Sequence, residues 1–460
     1  MGGNSPAEIT ARIDRLPACW TVWRLVVLLS LGAFFEMYDL FQTAYVSPGL
    51  ISSGIFRVGA KGLFGLTDQA TFAAATFAGL FAGTILFGSV ADKFGRRTVF
   101  TWSMLWYTVA NVSMGLQHTN VGVDAWRFIS GLGIGVEIVT IDAYISEFAP
   151  RRIRGRAFAL NQCVQFLAIP TVALASWLLI PRAPLGITGW RWVVFLGALG
   201  AIAVWFIRRG IPESPRWLAQ QLRLEEAGEA IGLIEARVER EIGHALGEPV
   251  VGPAELPGAG KFSEIWEEPY GRRTFMLIVF NFFQTIAFYG FGNWVPALMA
   301  SKGANITNSL QYSAIIALMY PVGPLLCTLF ADSFERKWQI VAAAIGTATF
   351  GLLFARQSGT VALIGFGMMI TLSNNLLSYS YHAYQAELYP TRIRARAIGF
   401  VYSWSRLSTM FTSFMIAFFL ERFGTRGVFA FIAASMLMVI LSVGIFGPRT
   451  NNLALEEISH

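Results

Sequence analysis

Glu36 and Asp39 lie three residues apart inside an apolar run that begins near Trp23. Three residues is close to one helical turn, so the two carboxyls share a helix face. A carboxylate inside a hydrophobic span is costly unless it is paired, protonated or open to water, which makes both functional candidates. Arg127, near the start of a later apolar run, is the obvious counter-ion. With Arg127 close, Asp39 stays ionised; with Arg127 withdrawn, desolvation favours the neutral acid and a proton is taken up. The chemistry is proton binding governed by conformation, with a static ion pair as the alternative. Arg406 sits near the middle of another apolar run, followed by Ser408 and Thr409, with no carboxylate in that run. A guanidinium at that depth needs an anion. A substrate carboxylate can supply it in bidentate fashion; pairing with Glu36 or Asp39, or snorkelling, are the alternatives.

Further polar and aromatic groups fall near mid-span: Asn161, Gln162 and Gln165; Gln284, Tyr289, Asn293 and Trp294; Asn374, Asn375, Tyr379, Tyr381, His382 and Tyr384. They are candidates to line a cavity. Phe, Trp and Tyr make up 14% of the chain, so a single aromatic is more often core or lipid-facing. His382 can titrate near neutral pH or simply cap a helix end. Glu137 and Asp142 are five apart, on different faces, and cannot form one site. Glu137 is open between cavity and packing interface, and Asp142 has no assignment. Gly131 and Gly135 share Arg127's face and permit close approach of another helix.

The elements that must hold these groups are membrane spans. The 460 residues are 55% hydrophobic and 14% charged, with a mean hydropathy of +0.53; soluble chains carry about 25% charged residues. Many of the apolar runs are long enough to cross hydrocarbon about 30 Å thick. Twelve spans are expected, beginning near Trp23, Thr67, Thr98, Gly122, Ala157 and Trp190, then near Thr274, Leu310, Trp338, Thr360, Ala395 and Gly427. Arg12, Arg15, Arg24, Lys93, Arg96, Arg97, Arg151, Arg152, Arg154, Arg156, Arg336, Lys337, Arg392, Arg394 and Arg396 all fall on one side of that arrangement. The positive-inside rule then puts both termini in the cytoplasm. The net charge of +7 follows from this bias and carries no nucleic-acid signal.

Residues 1–210 are read as an N-terminal six-helix half, 211–272 as a cytoplasmic linker with short surface helices, and 273–460 as a C-terminal six-helix half. Glu225 to His244 is the helical part of the linker, and Gly252 to Gly260 is turn-forming. Cys19, Cys163 and Cys327 lie far apart and suggest neither a disulfide framework nor a metal site. No cleavable signal peptide is expected.

The halves repeat. Asp92-Lys93-Phe94-Gly95-Arg96-Arg97 returns 240 residues later as Asp332-Ser333-Phe334-Glu335-Arg336-Lys337. Glu147-Phe148-Ala149-Pro150-Arg151-Arg152-Ile153-Arg154-Gly155-Arg156 returns at the same offset as Glu387-Leu388-Tyr389-Pro390-Thr391-Arg392-Ile393-Arg394-Ala395-Arg396. A duplicated polytopic unit is the build of a secondary transporter.

Over nearly the whole chain these motifs resemble the major facilitator superfamily. Gly88 to Arg97 is similar to its signature between helices 2 and 3. Arg127 with Gly131, Gly133 and Gly135, Glu147/Pro150/Arg154, Pro212-Glu213-Ser214-Pro215-Arg216-Trp217-Leu218 and Glu387/Pro390/Arg394 resemble the sugar-porter-like branch. Helix 7 departs from the paired glutamines of sugar porters. Phe288-Tyr289-Gly290-Phe291-Gly292-Asn293-Trp294-Val295-Pro296 is similar instead to organic-ion carriers, synaptic-vesicle-type transporters and bacterial niacin and metabolite carriers. The resemblance implies an all-α fold of twelve transmembrane helices in two pseudo-symmetric halves. It implies that Asp39 and Arg127 match a proton-coupling pair and that Gln162 matches a sugar-contacting glutamine. It also implies that Arg406, after Tyr402-Ser403-Trp404-Ser405, matches an arginine of anion selectivity. A cytoplasmic latch is implied at Gly88, Asp92, Arg96 and the Glu147/Arg156 pair, repeated at Asp332, Arg336 and the Glu387/Arg396 pair; solvated topology charges are the alternative.

The expected function is proton-coupled uptake of a small organic anion, an aromatic or heteroaromatic monocarboxylate, across a bacterial-type inner membrane by a monomer. A sugar or polyol symporter is the runner-up, and an exporter or a non-transporting sensor are lesser alternatives. No nucleotide-binding loop, metal cluster or nucleophile constellation is present in the sequence, so neither an enzyme nor a cofactor is expected beyond the proton as coupling ion. The expected partners are the substrate and the lipid bilayer, with no nucleic acid.

Overall fold

The computed structural model describes residues 5–57, 67–87, 90–200, 202, 206, 210–250, 261–330, 334–389 and 391–450. They form an all-α membrane protein. A short helix α1 (Pro6–Asp14) precedes α2 (Trp20–Ser52), α3 (Asp68–Phe87), α4 (Arg96–Gly115), α5 (Asn120–Phe148), α6 (Arg154–Leu179) and α7 (Gly189–Gly197). The linker carries α8 (Pro215–Gln220) and α9 (Leu224–Ile242). The second half holds α10 (Tyr270–Gly292), α11 (Val295–Ser301), α12 (Ile306–Ala317), α13 (Met319–Phe330), α14 (Arg336–Arg356), α15 (Thr360–Glu387) and α16 (Thr391–Phe446).

The expected span starts lie within four residues of helix starts, with the one exception of Gly427 inside α16, which joins two spans through Gly424 at φ 64° and ψ −164°. Eight helical stretches among the described residues are long and apolar enough to cross a membrane. The shortfall from twelve has physical reasons. α16 counts once for two spans. α4 and α5 are diluted by groups such as Asn111, Arg127 and Glu137, and α7 is described only in its first turns.

Local chemistry sets several boundaries. Thr119 caps α5 by accepting from Gly122 N–H at 3.2 Å, and Asn305 caps α12 by accepting from Asn308 N–H at 2.8 Å. Such caps satisfy amides that a helix start leaves orphaned. The amide groups opening α2 are capped from outside: Glu241 of α9 accepts from Trp20 N–H at 2.6 Å and Thr21 N–H at 2.8 Å. Between α10 and α11 the chain breaks at Asn293 and Trp294, and Pro296 opens the next helix.

Two hydrophobic cores form. One runs from Ile9 to Val238, the other from Ile265 to Val443. Tyr289, Leu310, Ala314, Ala317 and Tyr320 of the second half join the first core, and Ala70 and Ala73 of α3 join the second. These crossings mark the seam between the halves. α1 docks Ile9, Ile13 and Leu16 against Ile231, Ile234 and Val238 of α9, so the linker helix belongs with the first half. Its charges agree. Glu235 accepts from Arg12 at 3.1 Å and from Arg15 at 2.6 Å. Burial alone would raise the Glu235 carboxyl, but Arg12 and Arg15 outweigh it and hold the group below its usual range.

Candidate functional site

Arg127 is fully buried and all its guanidinium nitrogens are engaged. Nη1 donates to Asp39 Oδ1 at 2.8 Å and to Asn111 Oδ1 at 3.3 Å. Nε donates to Thr76 Oγ1 at 3.0 Å, and Nη2 donates to Thr43 Oγ1 at 2.7 Å and to the Asp39 carbonyl. Asp39 accepts in addition from Asn111 Nδ2 at 2.7 Å, Ser130 Oγ at 2.8 Å and Gln42 Nε2. The cage draws on α2, α3, α4 and α5. Glycines make it possible. A Cβ on Gly79 would lie 2.2 Å from the Phe128 carbonyl and one on Gly131 2.4 Å from the Thr76 carbonyl, so α3 and α5 touch backbone to backbone beside Arg127. Small residues at a membrane helix crossing allow that approach. A pair this well satisfied offsets its own desolvation.

Glu36 does not enter the cage. It is buried one turn earlier on α2, within electrostatic reach of Glu137 and of Arg406. Glu137 is fully buried against Gly32 of α2, and neither of its oxygens makes a hydrogen bond of good geometry. Tyr107 of α4 faces it, its hydroxyl likewise unsatisfied. Sequence reasoning left Glu137 between cavity and packing; its position beside Gly32, about two turns before Asp39 on α2, becomes visible only once α2 and α5 are packed. The side chain of Asp142 lies outside the described residues.

Arg406 is buried among tyrosines. Its Nη2 donates to Tyr402 Oη at 3.1 Å, and its guanidinium lies 4.8 Å from the Tyr402 ring centroid. Tyr289 of α10 and Tyr381 of α15 complete the surroundings, with Glu36 reaching in from the first half. No salt bridge to Arg406 forms among the described residues. The structure thus places it beside Tyr289 and Tyr381. His382 lies against Tyr381 with ring centroids 4.2 Å apart and planes tilted by 50°, and is solvent-exposed. Its Nδ1 sits 2.7 Å from the Ser378 carbonyl, a bond within its own helix, which leaves Nε2 for other partners. Gln162 and Gln165 on α6 are half-buried, and Gln284 on α10 is buried.

The remaining candidates sit in packed surroundings, several of them tied to neighbouring helices. Asn374 accepts from Thr347 Oγ1 at 3.1 Å, tying α15 to α14. Asn375 donates to the Met319 and Tyr320 carbonyls at 3.1 Å each, filling the break between α12 and α13. Trp294 is buried in the second core, and Asn293 is buried beside it at the α10–α11 break, its amide without a partner. Tyr384 donates to the Pro448 carbonyl at 2.8 Å. Asn161 is buried on α6, and Tyr379 is half-buried on α15. An aromatic layer closes the seam above the site. Phe41 meets Phe288, Tyr289 and Tyr320 with centroids 6.4, 6.5 and 5.6 Å apart, and Phe77 meets Tyr289 at 5.2 Å. Phe166 meets Phe288 and Tyr320 at 6.4 and 6.0 Å.

The basic loops hold two matching clasps. Arg96 Nε lies 3.1 Å from Glu147 Oε1, and Arg336 pairs with Glu387, each 240 residues on. Tyr144 donates to the Pro212 carbonyl at 2.6 Å, and Tyr384 repeats this with Pro448. Each clasp joins residues of a single half, Arg96 with Glu147 in the first and Arg336 with Glu387 in the second. This corrects the expected pairs: Glu147 takes Arg96 and not Arg156, which is exposed, and Glu387 takes Arg336 in place of Arg396. The carboxylates sit at the ends of α5 and α15, where the guanidiniums opening α4 and α14 are the nearer cations. Glu213 had no expected partner, yet its Oε1 accepts from the Arg96 and Arg97 amides at 2.9 and 3.1 Å. That caps α4, where the helix field favours an anion. Gly95, at φ 93°, leaves room for it, since a Cβ there would lie 2.4 Å from Glu213 Oε2. Gly88, Asp332 and the side chain of Asp92 lie outside the described residues.

Residues 25–460 match the family described as sugar (and other) transporter. The chain belongs to this family. YyaJ of Bacillus subtilis, by name a metabolite transport protein, is 31% identical over 443 residues, covering 96% of this chain and 95% of its own. The niacin transporter NiaP of Acinetobacter baylyi is 26% identical over 454 residues, covering 98% and 99%. The fold matches a partially occluded inward-open structure of the xylose transporter XylE from E. coli. That match has a TM-score of 0.75 and 18% identity over 95% of this chain and all of that one. This sugar (and other) transporter family member is therefore a multi-pass membrane transporter of the major facilitator fold, acting on small molecules and not an enzyme.

Proposed function

We propose that the protein carries out proton-coupled uptake of a small organic anion, an aromatic or heteroaromatic monocarboxylate resembling nicotinate. The observation that carries this reading is Arg406. It is a buried guanidinium ringed by Tyr289, Tyr381 and Tyr402, with no salt bridge among the described residues. A buried cation without an ion-pair partner suits a carboxylate ligand, and a guanidinium offers it two parallel hydrogen bonds. Tyrosine rings beside it suit an aromatic ring. The 26% identity to a niacin transporter supports the same chemistry.

Asp39, Arg127 and Glu36 are assigned to proton coupling. In the conformation seen, Asp39 accepts from Arg127 and three further donors. Protonating Asp39 dissolves the charge pair and frees the cage to rearrange, which ties proton binding to the rocking of the halves. The basic face and both termini are assigned to the cytoplasm of a bacterial inner membrane, the monomer is taken as the working unit, and the aromatic layer is the outer closure of an inward-open state. Gln162, Gln165, Gln284, Asn293, Trp294 and His382 complete the proposed cavity.

A second reading, a sugar symporter, is favoured by the half-buried Gln162 and Gln165 on α6 and by the fold of the xylose transporter. A thermal-stability screen of purified protein against nicotinate, benzoate and xylose, with Arg406→Ala in parallel, separates the two. A ligand at one hundred times its dissociation constant stabilises by about 2.7 kcal/mol. A carboxylate shift that vanishes in Arg406→Ala supports the anion reading. A xylose shift that survives the substitution replaces it.

A further inference from the structure

Arg356 ends α14, Arg426 opens the second span of α16, and Lys302 follows α11. All three lie on the face opposite the basic loops. There the loops are otherwise poor in Lys and Arg, so these cations do not serve the orientation bias. Arg356 and Arg426 line a cavity of about 510 Å³ together with Leu352 and Ala355, and no carboxylate is among its lining residues. Both arginines are exposed, and neither forms a salt bridge among the described residues. Lys302 closes the back of the cluster, its ammonium donating to the Ala355 carbonyl and, at 3.1 Å, to the Gln357 carbonyl. Burial lowers the Lys302 ammonium from its ordinary value, and the positive charge of Arg426 lowers it further. The field at this spot is unneutralised and positive. Glu421 and Arg422 precede it on α16 and do not line the cavity.

The wall beneath is apolar and open to the bilayer. Leu352 and Ile345 on α14 and Leu437 and Leu441 on α16 are exposed. Two guanidiniums at the membrane boundary above such a wall match an amphiphile: a phosphate at the cations and acyl chains along the leucines. A soluble anion would use the cations and leave the wall without a role.

We propose that Arg356 and Arg426 form a binding site for the phosphodiester of an anionic lipid headgroup in the leaflet opposite the basic loops. The site lies on the outer wall, away from Arg406, and does not depend on which substrate is carried.

The test uses full-length protein purified in detergent and stripped of lipid. Melting temperature and lipid adducts by native mass spectrometry are recorded with phosphatidylglycerol, with phosphatidylcholine of the same acyl chains, and with inorganic phosphate. The expected result is a melting shift and a retained adduct with phosphatidylglycerol alone. Both should be lost in the Arg356→Gln/Arg426→Gln double variant, which should melt like wild type without lipid because both side chains are exposed. Arg356→Lys/Arg426→Lys should retain a weakened shift, since charge remains and the planar fork is gone. Equal shifts with both lipids, or a phosphatidylglycerol shift that survives the glutamine variant, would overturn the proposal. A shift as large with inorganic phosphate would make this a free-anion site and overturn the lipid assignment.

Discussion

Arg127 and Arg406 are both buried guanidiniums in the membrane interior, and they are built in opposite ways. Arg127 has a carboxylate at 2.8 Å and donors spent on Asn111, Thr43, Thr76 and the Asp39 carbonyl. Arg406 has one tyrosine hydroxyl at 3.1 Å, a tyrosine face, and the Glu36 carboxylate within electrostatic reach but in no salt bridge with it among the described residues. The first is complete within the protein, and its charge is answered whatever the carrier holds. The second is held in place by weak contacts and leaves capacity for an anion from outside. Burial alone therefore says nothing about role. The inventory of partners does.

The largest expected effect comes from breaking the complete centre. Asp39→Ala leaves Arg127 buried and uncompensated, which should cost about 3–5 kcal/mol of stability and abolish uptake. Chemical denaturation of the purified variant measures it, and a wild-type midpoint would dissolve the contrast drawn here. Arg406→Ala should do the reverse, abolishing uptake of carboxylates while moving the midpoint far less. Arg406→Lys sharpens the point. It keeps the charge and loses the bidentate fork, so carboxylate affinity should fall about tenfold or more, near 1.4 kcal/mol, by titration of the purified carrier.

The clasps at the basic face are intermediate cases, paired but only partly shielded. Arg96→Ala and Arg336→Ala should each cost about 1 kcal/mol, and by similar amounts, because the two pairs occupy equivalent positions. A twofold disparity in thermal shift would show that the halves do not share their clasps equally. Arg12 and Arg15 with Glu235 tie α1 to the linker helix α9, outside the spans, and should matter least to transport. The folded Glu235 carboxyl titrates below its unfolded counterpart at about 4.3. Its stabilisation is therefore complete above the unfolded value and is lost as pH falls through the lower folded one. Limited proteolysis of α1 should accelerate in that acid window, and in Glu235→Gln that acceleration should disappear because cleavage is already fast at neutral pH.

Much of this was legible in the sequence because hydrocarbon is an unforgiving solvent. A charge in an apolar run demands an answer, so Asp39 and Arg127 could be matched across 88 residues before any packing was known. Span starts were readable for the same reason. What stayed hidden depended on side chains that carry no such demand. Asn111, Ser130 and Thr76 are ordinary polar residues on α4, α5 and α3, and only packing shows that they converge on one ion pair. The clasp partners were misassigned because Glu147 and Arg156 are close in the chain, while Arg96 is close only in space. The repeat of Tyr144 at Tyr384 was present in the sequence, each followed three residues later by a glutamate, but a tyrosine's hydroxyl bond to a distant proline carbonyl leaves no pattern.

The placement of those clasps bears on how the protein is made. Arg96 with Glu147, Tyr144 with Pro212, Glu213 at the start of α4, and α1 against α9 all join partners encoded before residue 243. These fastenings of the first half are thus in hand while α10 is still inside the ribosome. The nascent chain can set its first six spans before the rest is synthesised. The later half, fastened by Arg336, Glu387, Tyr384 and Pro448, then needs only its own last residues to finish, so biogenesis can run as two successive closures rather than one.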